Sequence, residues 1–127
     1  MRIAGIIARV LLGLMFTVFG LNGFLHFIPM KSGPMSPLAM QYMGSVAQSG
    51  MLQAAFALQL ITGLMLLANV FVPLALVLLG AELGNILLFH ATMAPKGIIN
   101  ALVALLLWLV VFAGVRSSFA PLFRPRV

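Results

Sequence analysis

Four long apolar blocks dominate the hydrophobic pattern of this chain, and few charged residues interrupt them. The blocks cover residues of about 3–28, 51–68, 71–93 and 98–115. A helix needs roughly 20 residues to cross about 30 Å of hydrocarbon, and each block approaches or exceeds that length. The pattern therefore predicts four transmembrane helices.

The connection at 30–50 differs from these blocks because it contains three Gly and two Pro. Ser36 at an N-cap position and Pro37 at the first helical position indicate a helix start. Met, Leu and Tyr recur at helical spacing as far as Val46. We expect a short amphipathic helix on the bilayer surface, with Tyr42 at the interface. Two roles stay open for it: a cap that closes the mouth of the bundle, or a lid over a substrate.

The predicted fold is all-α, a four-transmembrane-helix bundle with the amphipathic helix in its first, extracytoplasmic loop. One integral membrane domain is expected over 1–127. The basic residues expected at one membrane face are Arg2, Arg9, Arg116, Arg124 and Arg126, and those at the other face are Lys31 and Lys96. The positive-inside rule then places both termini in the cytoplasm of a multi-pass protein of the inner (plasma) membrane. The basic tail, 116–127, is expected to anchor on anionic lipid.

Composition limits the function further. Hydrophobic residues make up 64% of the chain and charged residues 6%, far from the roughly 45–50% and 25% of soluble domains. The basic residues are isolated between apolar blocks rather than clustered on a polar face, which argues against nucleic acid as a partner. There is no Cys, so disulfides and thiolate metal ligands are excluded. A redox role therefore requires a borrowed cofactor.

Glu82, the only acidic side chain, lies near the middle of the third apolar block. An ionisable side chain in hydrocarbon costs about 2.5–3.5 kcal/mol on insertion scales, so we expect it to face the bundle interior. Gln59 falls at a similar depth, whereas Arg9 lies about 13 Å away in depth, too far for direct pairing. Two interpretations stay open: a neutral Glu82 hydrogen-bonded to Gln59 or Asn85, or a carboxyl that handles protons or contacts a ligand.

Other polar residues lie near the outer ends of the first and third predicted spans. Asn85 lies about 60° and His90 about 80° around the third span from Glu82, and Asn22 and His26 share one side of the first. The histidines are interpreted as interface residues bound to water and helix-end carbonyls, or as part of a quinone site. Bis-histidine haem ligation is disfavoured because two His lack a supporting pattern. No metal site is expected without a carboxylate or thiolate at that level.

Small residues predict where helices pack. Gly80 and Gly84 form a GxxxG pair on roughly the opposite side of the third span from Glu82, and Gly63 lies in the second span. Such residues let a neighbouring backbone approach closely. Trp108 lies too deep for an interfacial belt, and we expect it to pack inside the bundle.

Three stretches carry a family resemblance: GLNGFLHFIP at 20–29, GLMLLANVFVPLALVLL at 63–79 and NILLFH at 85–90. Together they resemble the DoxX-like family of small four-helix bacterial membrane proteins, over about Ile7 to Phe123. The family's founding members are similar to membrane subunits of thiosulfate:quinone oxidoreductase. The resemblance therefore implies a four-helix membrane fold and an accessory role in a membrane oxidoreductase complex.

The chain departs from that family pattern at three positions. Relatives usually carry Glu where this chain has Gln59, an apolar residue where it has Glu82, and a basic residue where it has Val70. The carboxylate has moved from the second span to the third at nearly the same depth. If the second and third helices are neighbours, the Glu82 carboxyl can occupy the same cavity as the carboxyl that relatives carry at the position of Gln59.

Three functions are compatible with these patterns. The first is a DoxX-like accessory subunit that binds quinone or another lipid-soluble molecule, and the second is a non-catalytic scaffold or stability partner. The third is a small proton-coupled transporter. Expected partners are the bilayer, a soluble or membrane oxidoreductase subunit, and a second copy of the chain. The candidate ligand- or proton-handling residues are Glu82, Gln59, Asn85, His90, Asn22 and His26.

Overall fold

The structure is a computed structural model that describes residues 2–26 and 36–126, and the regular structure in these residues is helical throughout. The α-helices are α1 (Ile3–Leu25), α2 (Pro37–Ser49), α3 (Met51–Ala68), α4 (Val72–Thr92) and α5 (Ile98–Val115). The 3-10 helices are Pro95–Gly97 before α5 and Arg116–Phe123 after it. Four helices, α1, α3, α4 and α5, are long and apolar enough to cross a membrane. The predicted all-α class is confirmed, and the helices indicate a multi-pass membrane protein.

The ends of these helices lie close to the predicted spans. The predicted ranges 51–68 and 98–115 coincide with α3 and α5, and α4 is one residue shorter than predicted at each end. The first helix is shorter than expected. It ends because His26 adopts a left-handed conformation (φ 51°) and donates its backbone N–H to the Asn22 carbonyl at 2.9 Å, an arrangement common at helix C-termini. Residues 27 and 28 lie outside the described residues.

The four long helices form a bundle in which each packs against two neighbours. Both α1 and α4 pack against α3 and α5, so α1 and α4 lie diagonally across the bundle. The largest fully buried side chains are Leu12, Thr62, Leu66, Leu76, Leu79 and Val111. Large apolar side chains such as Ile61 and Leu88 are exposed on the outer faces, as expected for a surface covered by lipid.

Glycines bring the backbones of α1 and α3 into contact. A Cβ at Gly20 would lie 2.7 Å from the backbone nitrogen of Leu60, and one at Gly63 would lie 2.6 Å from the backbone nitrogen of Thr17. Because real Cβ atoms do not approach backbone atoms this closely, both positions require glycine. The predicted packing role of Gly63 is therefore confirmed, with α1 as its partner.

The GxxxG pair of α4 packs differently from the prediction. Gly80 faces the Trp108 side chain of α5, with a Cβ position 3.2 Å from the ring, rather than a neighbouring backbone. At Gly84 the structure differs more: the residue is exposed, and a Cβ would meet no described atom within 4 Å. At Gly80 the indole ring lies between the two helices and keeps their backbones apart. Trp108 packs in the bundle as predicted, and its N–H donates to the Leu76 carbonyl at 2.9 Å.

The amphipathic helix α2 begins where the sequence predicts. The Ser36 hydroxyl accepts a hydrogen bond from the Ala39 backbone N–H (3.2 Å) and donates one to the Met93 carbonyl (3.1 Å). Pro37 occupies the first helical position. One side chain therefore both caps α2 and ties its start to the end of α4.

Arg9 and the tail fix the opposite end of the bundle. The Arg9 guanidinium donates to the carbonyl of Leu66 and, at 3.5 Å, to that of Leu67. These are carbonyls of the last turn of α3, which lack partners within the helix. After α5, Phe119 is buried with its ring 4.9 Å from that of Phe112. The tail is therefore held against the bundle by one aromatic side chain.

Candidate functional site

Glu82 lies in the middle of α4 with its carboxyl group covered by protein. The residue is half-buried, and both carboxyl oxygens are buried. Neither oxygen forms a hydrogen bond with any residue in 2–26 or 36–126. The carboxyl oxygens are therefore covered by protein, and their hydrogen-bonding capacity is unused within the described part of the chain.

The contacts of α4 show which flank carries Glu82. Gly80, about 160° around the helix from Glu82, contacts Trp108 of α5. Phe89 lies within about 20° of Glu82, and its ring stacks on Tyr42 of α2 at 5.2 Å. Since α4 packs against α3 and α5, Glu82 lies on the flank turned away from α5, toward α3 and beneath α2.

Gln59 of α3 lies level with Glu82. It is nine residues before the end of α3 and Glu82 is ten residues after the start of α4, so they lie about 14 Å and about 15 Å from the connecting turn. Because α3 and α4 are antiparallel neighbours, the two residues share one depth. Gln59 is buried, with 8% of its surface exposed. The sequence predicts a shared cavity for these two positions only if the two helices are neighbours. They are neighbours in the structure.

A hydrogen bond from Glu82 to Gln59 or Asn85 was one of the two sequence-based interpretations, and it is wrong. Both partners are described residues, and the Glu82 oxygens bond to neither. Asn85 is exposed, and its side-chain nitrogen instead donates to the Tyr42 hydroxyl at 3.4 Å. Asn85 lies about 60° around the α4 axis from Glu82. At that position its side chain points toward α2 and not toward the Glu82 carboxyl.

The two histidines do not converge on Glu82. In His90, Nδ1 donates to the Ile86 carbonyl at 2.8 Å, and the ring packs beside Gly97, where a Cβ would lie 2.7 Å from it. His26 is exposed at the end of α1, and Asn22 is buried one turn earlier. Both histidines lie near helix ends, but the side-chain bond of His90 goes to a carbonyl inside α4 rather than to one of the last turn. No cluster of three metal-ligating side chains occurs among the described residues.

Two main grooves in the described structure lie away from Glu82. The smaller, about 110 Å³, runs between α4 and α5 beside Gly80, Gly84 and Trp108. The larger, about 710 Å³, lies between the start of α1 and the end of α5. Neither groove is lined by Glu82.

Two polar side chains, those of Thr17 and Arg9, make contacts that the sequence did not predict. The Thr17 hydroxyl is buried without a hydrogen bond to any described residue, because α1 and α3 close around it at Gly63. The Arg9 guanidinium donates to carbonyls at the end of α3. Nothing in the sequence signals either contact, since both depend on which helix lies beside α1.

Comparisons with known proteins add no further constraint on the function. No family model, no curated protein and no solved structure matches this chain. The DoxX-like resemblance of residues 20–29, 63–79 and 85–90 therefore stays a prediction. The function has to be argued from the buried carboxyl and its surroundings.

Proposed function

We propose that this chain is a DoxX-like accessory subunit of a membrane oxidoreductase system, and that it binds a quinone or another lipid-soluble molecule beside Glu82. The supporting observation is a carboxyl group whose two buried oxygens bond to no described residue. A buried polar group without a partner costs about 1–3 kcal/mol. The buried carboxyl does not stabilise the packing of the helices. We therefore attribute its presence to contact with a ligand.

The surroundings of Glu82 suit a molecule with an apolar body and a polar head. A protonated carboxyl donates a hydrogen bond to a quinone carbonyl, and a carboxylate accepts one from a quinol hydroxyl. The Gln59 amide lies at the same depth on α3 and offers both a donor and an acceptor. Apolar side chains of α3 and α4 form the rest of the flank, as in most sites for small hydrophobic ligands.

Helix α2 is proposed to act as the lid of this site. Its Tyr42 reaches α4 through a ring contact with Phe89 and one hydrogen bond from Asn85 of 3.4 Å. That distance lies beyond the usual 2.7–3.2 Å of N–H···O bonds. Opening of the lid therefore breaks only one weak hydrogen bond. The Ser36 contacts hold the start of α2 in place while its Tyr42 region moves.

Quinone binding can be measured through the single tryptophan of the chain, Trp108. We expect decylubiquinone to quench its fluorescence in protein reconstituted into lipid nanodiscs. Glu82→Leu should weaken binding roughly 10- to 100-fold, because hydrogen bonds involving a charged group contribute about 1.5–3 kcal/mol. Glu82→Gln keeps a hydrogen-bonding side chain and should weaken it less.

Thr17→Val is the matched control, because it also removes a buried oxygen without a described partner. It should leave the affinity for decylubiquinone unchanged. Equal affinities for wild type, Glu82→Leu and Thr17→Val would contradict the ligand role of Glu82. The buried carboxyl would then be a feature of a scaffold protein.

The proposal also places the chain in the bacterial inner membrane with both termini in the cytoplasm. The absence of native Cys makes this testable by single-cysteine labelling. Ser45→Cys on α2 and Ser117→Cys after α5 introduce thiols at exposed positions. A membrane-impermeant maleimide should label the first in cells with a permeabilised outer membrane and the second only after lysis. The reverse pattern would contradict the orientation.

A further inference from the structure

The larger groove has a different chemical character from the flank that carries Glu82. Its volume is about 710 Å³, and small residues of α1 and α5 line it between two arginines. Between Arg2 and Arg116 the lining residues are Ala4, Gly5, Val110, Ala113 and Gly114. Four of these five side chains are small, and they leave a channel that begins at the arginine end of the bundle.

The arginines of this groove have no acidic side chain of the chain to neutralise them. The only acidic side chain is Glu82, which does not line the groove. Both Arg2 and Arg116 are exposed. No acidic side chain therefore lines the groove beside these two arginines, and their guanidinium groups are accessible to an anion from outside the chain.

The start of α1 adds to the positive potential of the groove. Arg2 is the N-cap residue of α1, and its side chain makes no capping hydrogen bond. The backbone N–H groups of the first turn lack partners within the helix and carry the positive end of the helix dipole. Helix N-termini of this kind bind phosphate groups. Two guanidinium groups and the amides of one helix end thus surround the mouth of the groove.

We propose that this groove binds one anionic phospholipid. The headgroup phosphate lies between Arg2, Arg116 and the first turn of α1, and an acyl chain follows the channel along Gly5, Ala113 and Gly114. Guanidinium groups pair with phosphate oxygens through two parallel hydrogen bonds. Val110 of α5, which also lines the groove, provides an apolar contact for the acyl chain. This site is independent of the proposed quinone site.

The charge requirement can be tested with two double variants that lose the same charge. Arg2→Gln with Arg116→Gln removes both groove arginines, and Arg124→Gln with Arg126→Gln removes two exposed arginines outside it. Native mass spectrometry in detergent measures binding of added phosphatidylglycerol or phosphatidylcholine to the purified full chain. We expect the groove variant to bind phosphatidylglycerol roughly 30-fold more weakly than wild type. The tail variant should retain most of the binding, and phosphatidylcholine should bind weakly to all three proteins.

The channel requirement needs a variant that keeps the charges. Ala113 is exposed on α5, so Ala113→Phe fills the channel without disturbing the buried core. It should weaken phosphatidylglycerol binding at least tenfold, whereas millimolar inorganic phosphate should not displace the lipid from wild type. Displacement by phosphate alone would show a free-anion site and overturn the proposal.

Two other results would also overturn it. Equal loss of phosphatidylglycerol in the groove and tail variants would show that net charge alone attracts the lipid. A wild-type dimer that becomes monomeric in Ala113→Phe, with lipid binding unchanged, would assign the groove to a second copy of the chain. Folding of each variant is checked by Trp108 fluorescence, since Trp108 does not line this groove.

Discussion

The interfaces α1–α3 and α4–α5 both contain glycines, yet they pack in different ways. Between α1 and α3 the backbones touch, and a Cβ at Gly20 would lie 2.7 Å from a backbone nitrogen and 2.8 Å from a backbone oxygen. Between α4 and α5 the indole of Trp108 lies over Gly80, and a Cβ at Gly84 would meet no described atom within 4 Å. Gly20 thus sets the separation of α1 and α3, whereas Gly80 makes room for one side chain.

The comparison shows what a small-residue motif means in a membrane helix. Glycine permits close approach, but the residue on the facing helix determines whether the approach occurs. Opposite Gly20, α3 presents its own backbone near Leu60, and opposite Gly80, α5 presents an aromatic ring. Two glycines spaced four apart on one helix therefore predict a contact only when the neighbouring helix is known.

Among the variants that test this comparison, Gly20→Leu should lower the unfolding free energy most. A leucine there collides with backbone atoms of α3, which cannot rotate away as a side chain can. We expect a loss of at least about 3 kcal/mol in unfolding free energy, the upper range for overpacking a core. Thermal or denaturant unfolding in detergent, followed by Trp108 fluorescence, measures it.

Gly84→Leu is the matched control, because a Cβ there meets no described atom. Its stability should lie within about 0.5 kcal/mol of wild type, or slightly above it, since leucine favours the helix more than glycine does. Similar destabilisation by Gly20→Leu and Gly84→Leu would remove the distinction between the two interfaces.

Glu82→Leu should have the next largest effect, with the opposite sign. Replacing a buried carboxyl that lacks a described partner removes a cost of about 1–3 kcal/mol, so the ligand-free protein should become more stable by that amount. Thr17→Val should also stabilise the fold, by less, because a hydroxyl costs less to bury than a carboxyl. A loss of stability in Glu82→Leu would mean that the carboxyl supports the fold, contrary to the proposed ligand role.

Trp108→Phe should destabilise the protein by about 1 kcal/mol, because it removes the hydrogen bond to the Leu76 carbonyl and part of the ring over Gly80. Far-UV circular dichroism during heating measures the change, since the fluorescent residue is lost. A decrease as large as that of Gly20→Leu would show that a side-chain contact holds α4 to α5 as firmly as backbone contact holds α1 to α3.

Tyr42→Phe should have the smallest effect on stability, below about 0.5 kcal/mol. It removes only the long hydrogen bond that the exposed Asn85 side chain donates to the Tyr42 hydroxyl. The ring contact with Phe89 is kept. Under the lid proposal, this variant should instead raise the rate of decylubiquinone binding, measured by stopped-flow quenching of Trp108. A slower association rate would contradict the lid.

Sequence predicted the helices well because hydrophobic length and caps are local properties. The Ser36 cap, the Pro37 start and the bounds of α3 and α5 follow from residues within a few positions of each helix end. Lys31 lies outside the described residues, so its predicted face stays a prediction.

The candidate site was predicted less completely, because it depends on which helices are neighbours. Depth along a helix gave the shared level of Gln59 and Glu82, and periodicity gave the flank opposite Gly80. The facing partners of Asn85, Thr17 and Arg9 come from the order of the helices in the bundle, which the apolar pattern does not encode. The sequence therefore suggested Gln59 or Asn85 as a partner of Glu82, whereas in the structure the Asn85 side chain bonds to Tyr42.

The central claim, that the Glu82 carboxyl contacts a ligand, has one most direct test. Because Glu82 is the only acidic side chain, protein labelled with ¹³C-glutamate gives one side-chain carboxyl signal in solid-state NMR spectra of bilayers. Decylubiquinone should shift this signal, and an equal amount of decane, which has the apolar chain but no polar head, should not. A carboxyl signal that stays in place when decylubiquinone saturates the quenching of Trp108 would contradict the account.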